Sequence, residues 1–457
     1  MVSRPRALAL SRAAALAAIF VLGWAGRLGL PVLDLAAVRF HYQVHSIRVA
    51  EMFAVASALL FIRAGPPALL RPRGLLGAFA ASAFLLAGLA AASSLWAFYP
   101  GLALLQGAHL AIWVAFAIVV AVVRVPPHRM AATFVLGLLV HVVVGLAQAV
   151  TQGNIGLWWL GELRIRPGPP WSTITDGGWE FLRVYGLSPH PNVLAGHFAI
   201  GLVLCWGLAY GRRPVGRALV VVTWAALFVT LLLTFSRSGL LGAVVAMTVS
   251  AIWMSRTGVG RPIAGLGSGL ALCAAITIVL FVWASRDHLP TRGKLTDLLL
   301  RPDGAAERVG LIRGALRLLA DHPLAGVGAR NFSGATPAIT PDRAVLDSVH
   351  NVPILIGAEL GLTGLALVGV VAAVLVAVGC RRWRARSPNL WQGPLAGGLA
   401  ALALISLLDH YPWSVPQGGL LGAWLVGWWL TDDSKDVQQP QPSTQPAPPG
   451  PSATHSA

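Results

Sequence analysis

Runs of eighteen or more mostly apolar residues follow one another along almost the whole chain, and this repetition constrains the fold more than any single motif. Each run is long enough to cross a hydrocarbon core as a helix, a form in which the backbone polar groups satisfy one another within the segment. Twelve spans are read, at 7–25, 46–62, 75–97, 101–123, 130–151, 191–210, 218–235, 238–255, 263–284, 352–379, 392–410 and 413–431. With 56% of residues hydrophobic and 11% charged, a soluble domain is excluded. The expected fold class is an all-α integral membrane protein of about twelve transmembrane helices. Arg4 and Arg6 precede the first span and Arg12 lies near its start, but no convincing cleavage site follows it, so it is read as a helix and not as a leader.

The formal net charge of +17 invites a nucleic-acid reading, which the position of the charge excludes. With the N-terminus inside, the short internal connections hold Arg63, Arg71, Arg73, Arg124, Arg129, Arg212, Arg213, Arg217, Arg256, Arg261, Arg381, Arg382, Arg384 and Arg386, and no Asp or Glu. Nearly all the surplus therefore lies on one side, as the positive-inside rule requires, and both termini are expected in the cytoplasm. Four segments follow. Residues 1–284 carry membrane helices 1–9 with an outer loop at 152–190, residues 285–350 form a large outer loop, 351–431 carry helices 10–12, and 432–457 form a Pro/Gln/Ser-rich disordered tail. Cys205, Cys273 and Cys380 belong to separate spans and suggest neither a metal site nor a disulfide framework.

On this topology the motif-like stretches are all external. The loop 152–190 carries Trp158, Trp159, Trp171 and Trp179, which suit a headgroup zone or the faces of sugars, and ends RVYGLSPHPNVLAGH. Arg183, His190 and Asn192 are thereby placed at the outer boundary, with Pro191 opening a helix. LLLTFSRSGLL confines Thr234, Ser236, Arg237 and Ser238 to a tight turn, and a guanidinium fixed beside hydroxyls suits a phosphate. In the large loop, Val309, Ile312, Leu316 and Leu319 recur at helical spacing with Arg308, Arg313 and Arg317 between them, which reads as an amphipathic helix. DHPLAGVGARNF breaks it, and a lone GVG makes no nucleotide fingerprint. At VLDSVHNVPILIGAELGLTG a polar stretch meets an apolar one. His350 and Asn351 stand at the mouth of the helix, and Glu359 lies inside it, where an ionisable group is a functional candidate by default.

RVYGLSPHPNVLA, TFSRSG, ERVGLIRGALRLLADHPLAGVGARNF and HNVPILIGAELGLTG, in this order, resemble the O-antigen ligase and O-antigen polymerase family of bacterial membrane glycosyltransferases. The resemblance covers about Arg183 to Gly364. It implies a GT-C-like helical body capped by the large outer loop. The implied reaction transfers a glycan from undecaprenyl pyrophosphate to an acceptor hydroxyl at the outer (periplasmic) face of the inner membrane. The family's essential arginines and histidine match Arg237, Arg308 and His350; Arg183 and Asn192 match its first motif, and His190 receives no catalytic role.

Chemistry then gives the residues their expected parts. Arg237, Arg308 and Arg183 hold the pyrophosphate, and His350, which titrates near neutral pH, takes the hydroxyl proton or orients the acceptor. Asn192, Asn351, Glu359 and Ser236 support them. A single displacement would invert the anomeric centre, and the scattered outer acids, Asp409 among them, point to no metal and no cofactor. Expected partners are the lipid-linked glycan donor, a lipid A core or second lipid-linked glycan as acceptor, and membrane lipids, with no nucleic acid. The leading reading is a ligase acting on lipid A core. An O-antigen or exopolysaccharide polymerase is the alternative within the family, and a transporter or flippase is the alternative of another class, for which no internal repeat is found.

Overall fold

The computed structural model describes residues 3–29, 46–65, 74–169, 171–176, 179–210, 213–257, 302–335, 348–386 and 389–431. Among these, twelve helices of more than ten residues follow one another: α1 (Arg4–Phe20), α2 (Val49–Ala64), α3 (Gly74–Ala92), α4 (Pro100–Val123), α5 (Pro127–Thr151), α6 (Pro191–Ala209), α7 (Pro214–Leu233), α8 (Arg237–Thr257), α9 (Pro302–Asp321), α10 (Val352–Ala385), α11 (Gln392–Leu408) and α12 (Pro416–Trp429). Seven are long and apolar enough to cross a membrane, namely α3 with its extension to Leu95, α4, α5, α6, α7, α8 and α10; α11 is apolar but shorter. The expected span at 263–284, much of the loop 285–350 and the tail lie outside the described residues.

Proline sets many of the starts. Pro100, Pro127, Pro191, Pro214 and Pro416 each occupy the first helical position, where the missing N–H costs nothing and the ring fixes the backbone angle. Small residues then let the helices close on one another. Gly137 of α5 lies against the Phe20 carbonyl, Gly397 of α11 against the Ala246 carbonyl of α8, and Gly427 of α12 against the Ala117 carbonyl of α4. Polar side chains add specific ties, Ser57 Oγ to the Ser11 carbonyl at 2.8 Å and Ser250 Oγ to the Gly393 carbonyl at 3.1 Å. α6 is buried along nearly its whole length, so it forms the centre of the bundle.

Two short antiparallel pairs decorate the helices: β1 (Arg27–Gly29) with β2 (Ser46–Arg48), and β3 (Thr173–Asp176) with β4 (Trp179–Leu182). The second pair belongs to the loop 152–190 and delivers Arg183 directly to the mouth of α6.

Two expectations are corrected. The amphipathic helix is α9, but its inward face is Leu311, Ala315 and Leu318, whereas Val309 and Leu316 are exposed. Apolar residues cover more than one face of this helix: Ile312 packs against the same core and Leu319 lies against Gly357 of α10, at the edge of the buried face. The span at 352–379 is not one straight helix. Gly361 leaves helical geometry at φ 66°, ψ −165°, and α10 continues beyond it in a new direction.

The chain after α9 fills that break. Val327 and Gly328 donate their N–H groups to the Ala358 and Glu359 carbonyls at 3.0 and 2.8 Å, and Leu362 N–H donates to the Pro323 carbonyl at 2.7 Å. Backbone groups freed inside an apolar bundle need such partners. The fit requires glycine on both sides. A Cβ on Gly326, at φ 62°, would stand 2.3 Å from the Glu359 carbonyl carbon, and one on Gly361 would stand 2.4 Å from that of Leu324. DHPLAGVGARNF is thus the counterpart of ELGLTG.

Candidate active site

The N-termini of α6, α8 and α10 and the C-terminus of α11 are joined by side-chain hydrogen bonds at one end of the bundle. Arg183 Nε donates to the Thr234 carbonyl at 2.7 Å, its Nη2 to Asn192 Oδ1 at 2.5 Å and its Nη1 to Ser172 Oγ at 3.2 Å. Asn192 Nδ2 in turn donates to Asp409 Oδ2 at 2.8 Å. The other Asp409 oxygen accepts the His410 N–H at 2.8 Å and lies 3.6 Å from His350 Nδ1. A continuous chain therefore runs from the turn that carries Arg237 to His350.

Local sequence explains each position. Ser236 accepts the Gly239 N–H at 3.3 Å and caps α8, which fixes Arg237 at its first turn. Asn351 caps α10 by accepting the Ile354 N–H at 3.0 Å, and its Nδ2 reaches the Leu407 carbonyl at 3.2 Å, tying α10 to the end of α11. His190 caps α6 through Nδ1, and its Nε2 lies 3.2 Å from Ser172 Oγ. Arg237 and Arg308 are exposed, and Arg308 is close enough for its charge to act on Arg237. The site thus offers two cations near one end of this hydrogen-bonded chain and a histidine–carboxylate pair at the other.

Electrostatics follow the burial. Burial lowers the His190 imidazole to about 3, helped by the Arg183 charge, so this ring is neutral near physiological pH. Burial alone would raise the Asp409 carboxyl. The contact with His350 and the fields of His410 and His190 outweigh it and hold the group well below the usual carboxylate range. Asp409 is therefore an anion facing His350, the arrangement that orients an imidazole and favours its protonated form.

Sequence reasoning brought Arg237, Arg308, His350, Asn192, Asn351 and Ser236 to this end of the molecule, and the structure places them there. Arg183 is there too, but it donates from Nε and both Nη atoms to protein acceptors. Glu359 lies deeper, beside the break in α10, and accepts the Trp413 indole N–H at 2.9 Å. Asp409 was grouped with scattered outer acids, yet it is the hub; the available signal was an acid and a histidine adjacent in LLDHYPW between two apolar spans. Ligand atoms of His350, Asp409 and His410 also lie within 4.8 Å of one another, as a metal ion would need. Both Asp409 oxygens accept hydrogen bonds and His410 Nδ1 meets Ser414 Oγ at 2.5 Å, so two of the three are already bonded within the protein.

Residues 221–369 match a family model described as O-antigen ligase. The match holds Arg237, Arg308, His350, Asn351 and Glu359, and leaves Arg183, Asn192 and Asp409 outside. No curated protein matches the chain. Over this segment, about a third of its length, the chain is similar to the O-antigen ligase family, and among the described residues seven helices are long and apolar enough to cross a membrane.

Proposed function

We propose that the protein is an inverting, metal-independent glycosyltransferase that moves a glycan from undecaprenyl pyrophosphate to an acceptor hydroxyl at the outer face of the inner membrane. The preferred acceptor is lipid A core. The proposed topology has about twelve spans in a GT-C-like body with both termini in the cytoplasm. The observation that carries this reading is the hydrogen-bonded chain Thr234–Arg183–Asn192–Asp409, with His350 against its end and Arg237 and Arg308 beside its start.

A hydroxyl attacking an anomeric carbon must lose a proton while the departing pyrophosphate gains charge. His350 Nε2 takes the proton, and Asp409 at Nδ1 sets the ring orientation and stabilises the imidazolium that forms. Arg237 and Arg308 hold the phosphate oxygens through charge-assisted hydrogen bonds and need no metal for it. Arg183 acts as a brace between the α7–α8 turn and Asn192, and Ser236 and Asn351 fix the helix starts that present Arg237 and His350. A broken helix is also a feature of transporters, but here the break in α10 is filled by the chain's own turn, which supports a fixed site.

The test is reconstitution with an undecaprenyl-pyrophosphate glycan and either lipid A core or a second lipid-linked glycan. Product on the core supports the ligase, and a ladder of longer lipid-linked chains would make it a polymerase. His350→Ala should abolish transfer while its membrane abundance persists; undiminished transfer by that variant would overturn the assignment.

A further inference from the structure

A second buried charged centre lies below the site. Arg330, at φ 57° in the turn after α9, is 4% exposed. The carboxylates of Glu359 on α10 and Glu51 on α2 act on its charge, opposing the burial that lowers its proton affinity. Glu51 is itself held, Oε1 by the Trp113 indole N–H at 2.9 Å with His109 Nδ1 beside it, and Oε2 by the Arg48 N–H at 3.0 Å. Asn331 locks the same turn by accepting the Tyr99 N–H at 2.6 Å.

One arm of Arg330 leaves this centre. Its Nη2 donates to the Ser414 carbonyl at 3.2 Å. Ser414 Oγ meets His410 Nδ1, and the His410 N–H binds Asp409 Oδ1, the oxygen that faces His350. The connection 409–415 is short, so the placement of its Ser414 end constrains the direction of the Asp409 carboxylate.

We propose that Arg330 is a positioning residue for the transfer reaction: buried in the turn after α9, it fixes the 409–414 connection through the Ser414 carbonyl and so holds Asp409 against His350. This rests on the glycan-transfer reading. It also assigns the N-terminal helices a part in the site, since Glu51 and His109 come from α2 and α4.

Arg330→Lys separates this role from simple charge burial. Lysine keeps a cation in the field of the two carboxylates but lacks the planar fork whose Nη2 reaches the Ser414 carbonyl. In the full-length protein in lipid nanodiscs, R330K should retain the wild-type unfolding midpoint and the donor KM. Its kcat should fall by roughly 10- to 100-fold, the scale on which small misplacements of catalytic groups act. Amide hydrogen exchange should speed up in 409–416 and stay unchanged in α6. Wild-type kcat or unchanged exchange in R330K overturns the proposal, as does faster exchange throughout α4 and α6, which would make Arg330 a holder of the fold alone. Should R330K not fold, Arg330→Met with Glu359→Gln removes the cation together with one of the two carboxylates in its field and is held to the same two readouts. If the wild-type protein transfers to no acceptor, the function reading fails, and the exchange data still decide whether Arg330 sets the 409–414 connection.

Discussion

Asp409→Asn tests the core of the proposed chemistry, because it removes the charge at constant shape, at the expense of one of the two acceptor oxygens. The side chain keeps its shape and one acceptor oxygen for Asn192 or the His410 N–H. What disappears is the anion 3.6 Å from His350. Two unit charges at that separation interact by ~4.6 kcal/mol at an effective dielectric of 20 and ~1.2 kcal/mol in bulk water. His350 retains 18% exposure of its side chain and Asp409 5%, so the pair lies between these limits. A loss of about 2–3 kcal/mol of imidazolium stabilisation corresponds to a roughly 30- to 150-fold drop in kcat. KM for the donor should stay constant, since Arg237 and Arg308 are untouched. The assay follows transfer from a fluorescent lipid-linked glycan in proteoliposomes, with abundance and unfolding midpoint matched to wild type. A drop smaller than about threefold, below ~0.7 kcal/mol, would refute the pairing of Asp409 with His350 as the catalytic unit.

Arg237→Gln and Arg308→Gln should each weaken donor use by about 10- to 100-fold in kcat/KM, the worth of a charged hydrogen bond, measured by donor titration. Gly326→Ala should destabilise the protein by about 2–4 kcal/mol, because it adds an atom 2.3 Å from the Glu359 backbone at a positive φ; thermal unfolding in detergent measures this. Transfer should survive a chelator, since both Asp409 oxygens and His410 Nδ1 are committed to hydrogen bonds; loss restored by added divalent metal would reassign the His350–Asp409–His410 trio. Stability should fall with acid. The folded value of His190, about 3, lies below the unfolded 6.5, so the unfolded chain binds more protons between them and stability is lost as pH drops through that window. Asp409, also depressed, adds to the loss below the ordinary carboxylate range. His190→Asn, which keeps an N-cap acceptor, should flatten the midpoint-versus-pH curve above pH ~4.

The membrane helices were legible because hydropathy acts residue by residue and needs no partner. The start at Pro191 was equally local. Arg237 and His350 could be read because a charge in a tight apolar turn and a histidine before an apolar helix are conspicuous in one dimension. Asp409 could not, since its meaning comes from Asn192, more than two hundred residues away. The inward face of α9 is not legible, because Val309 and Leu316 are as apolar as the buried Leu311 and Leu318, and hydropathy alone does not rank the two faces. The break at Gly361 is hidden by apolar neighbours, and it becomes legible only when a second glycine-rich turn is known to fill it.

That reciprocal fit bears on how cation and base are kept in register. Arg308 lies on α9, and the turn that follows this helix is hydrogen-bonded to backbone groups on both sides of the break in α10. His350 stands at the mouth of the half of α10 before the break. A straight α10 would have no free backbone groups there, and α9 could meet it only through side chains, which tolerate sliding. With the break, the Val327 and Gly328 N–H groups and the Pro323 carbonyl select one register at backbone precision. The same turn carries Arg330 toward Ser414, and so toward Asp409. One short segment thereby fixes the proposed phosphate-binding helix, the base-bearing helix and the carboxylate behind the base, an arrangement in which the three move together or not at all.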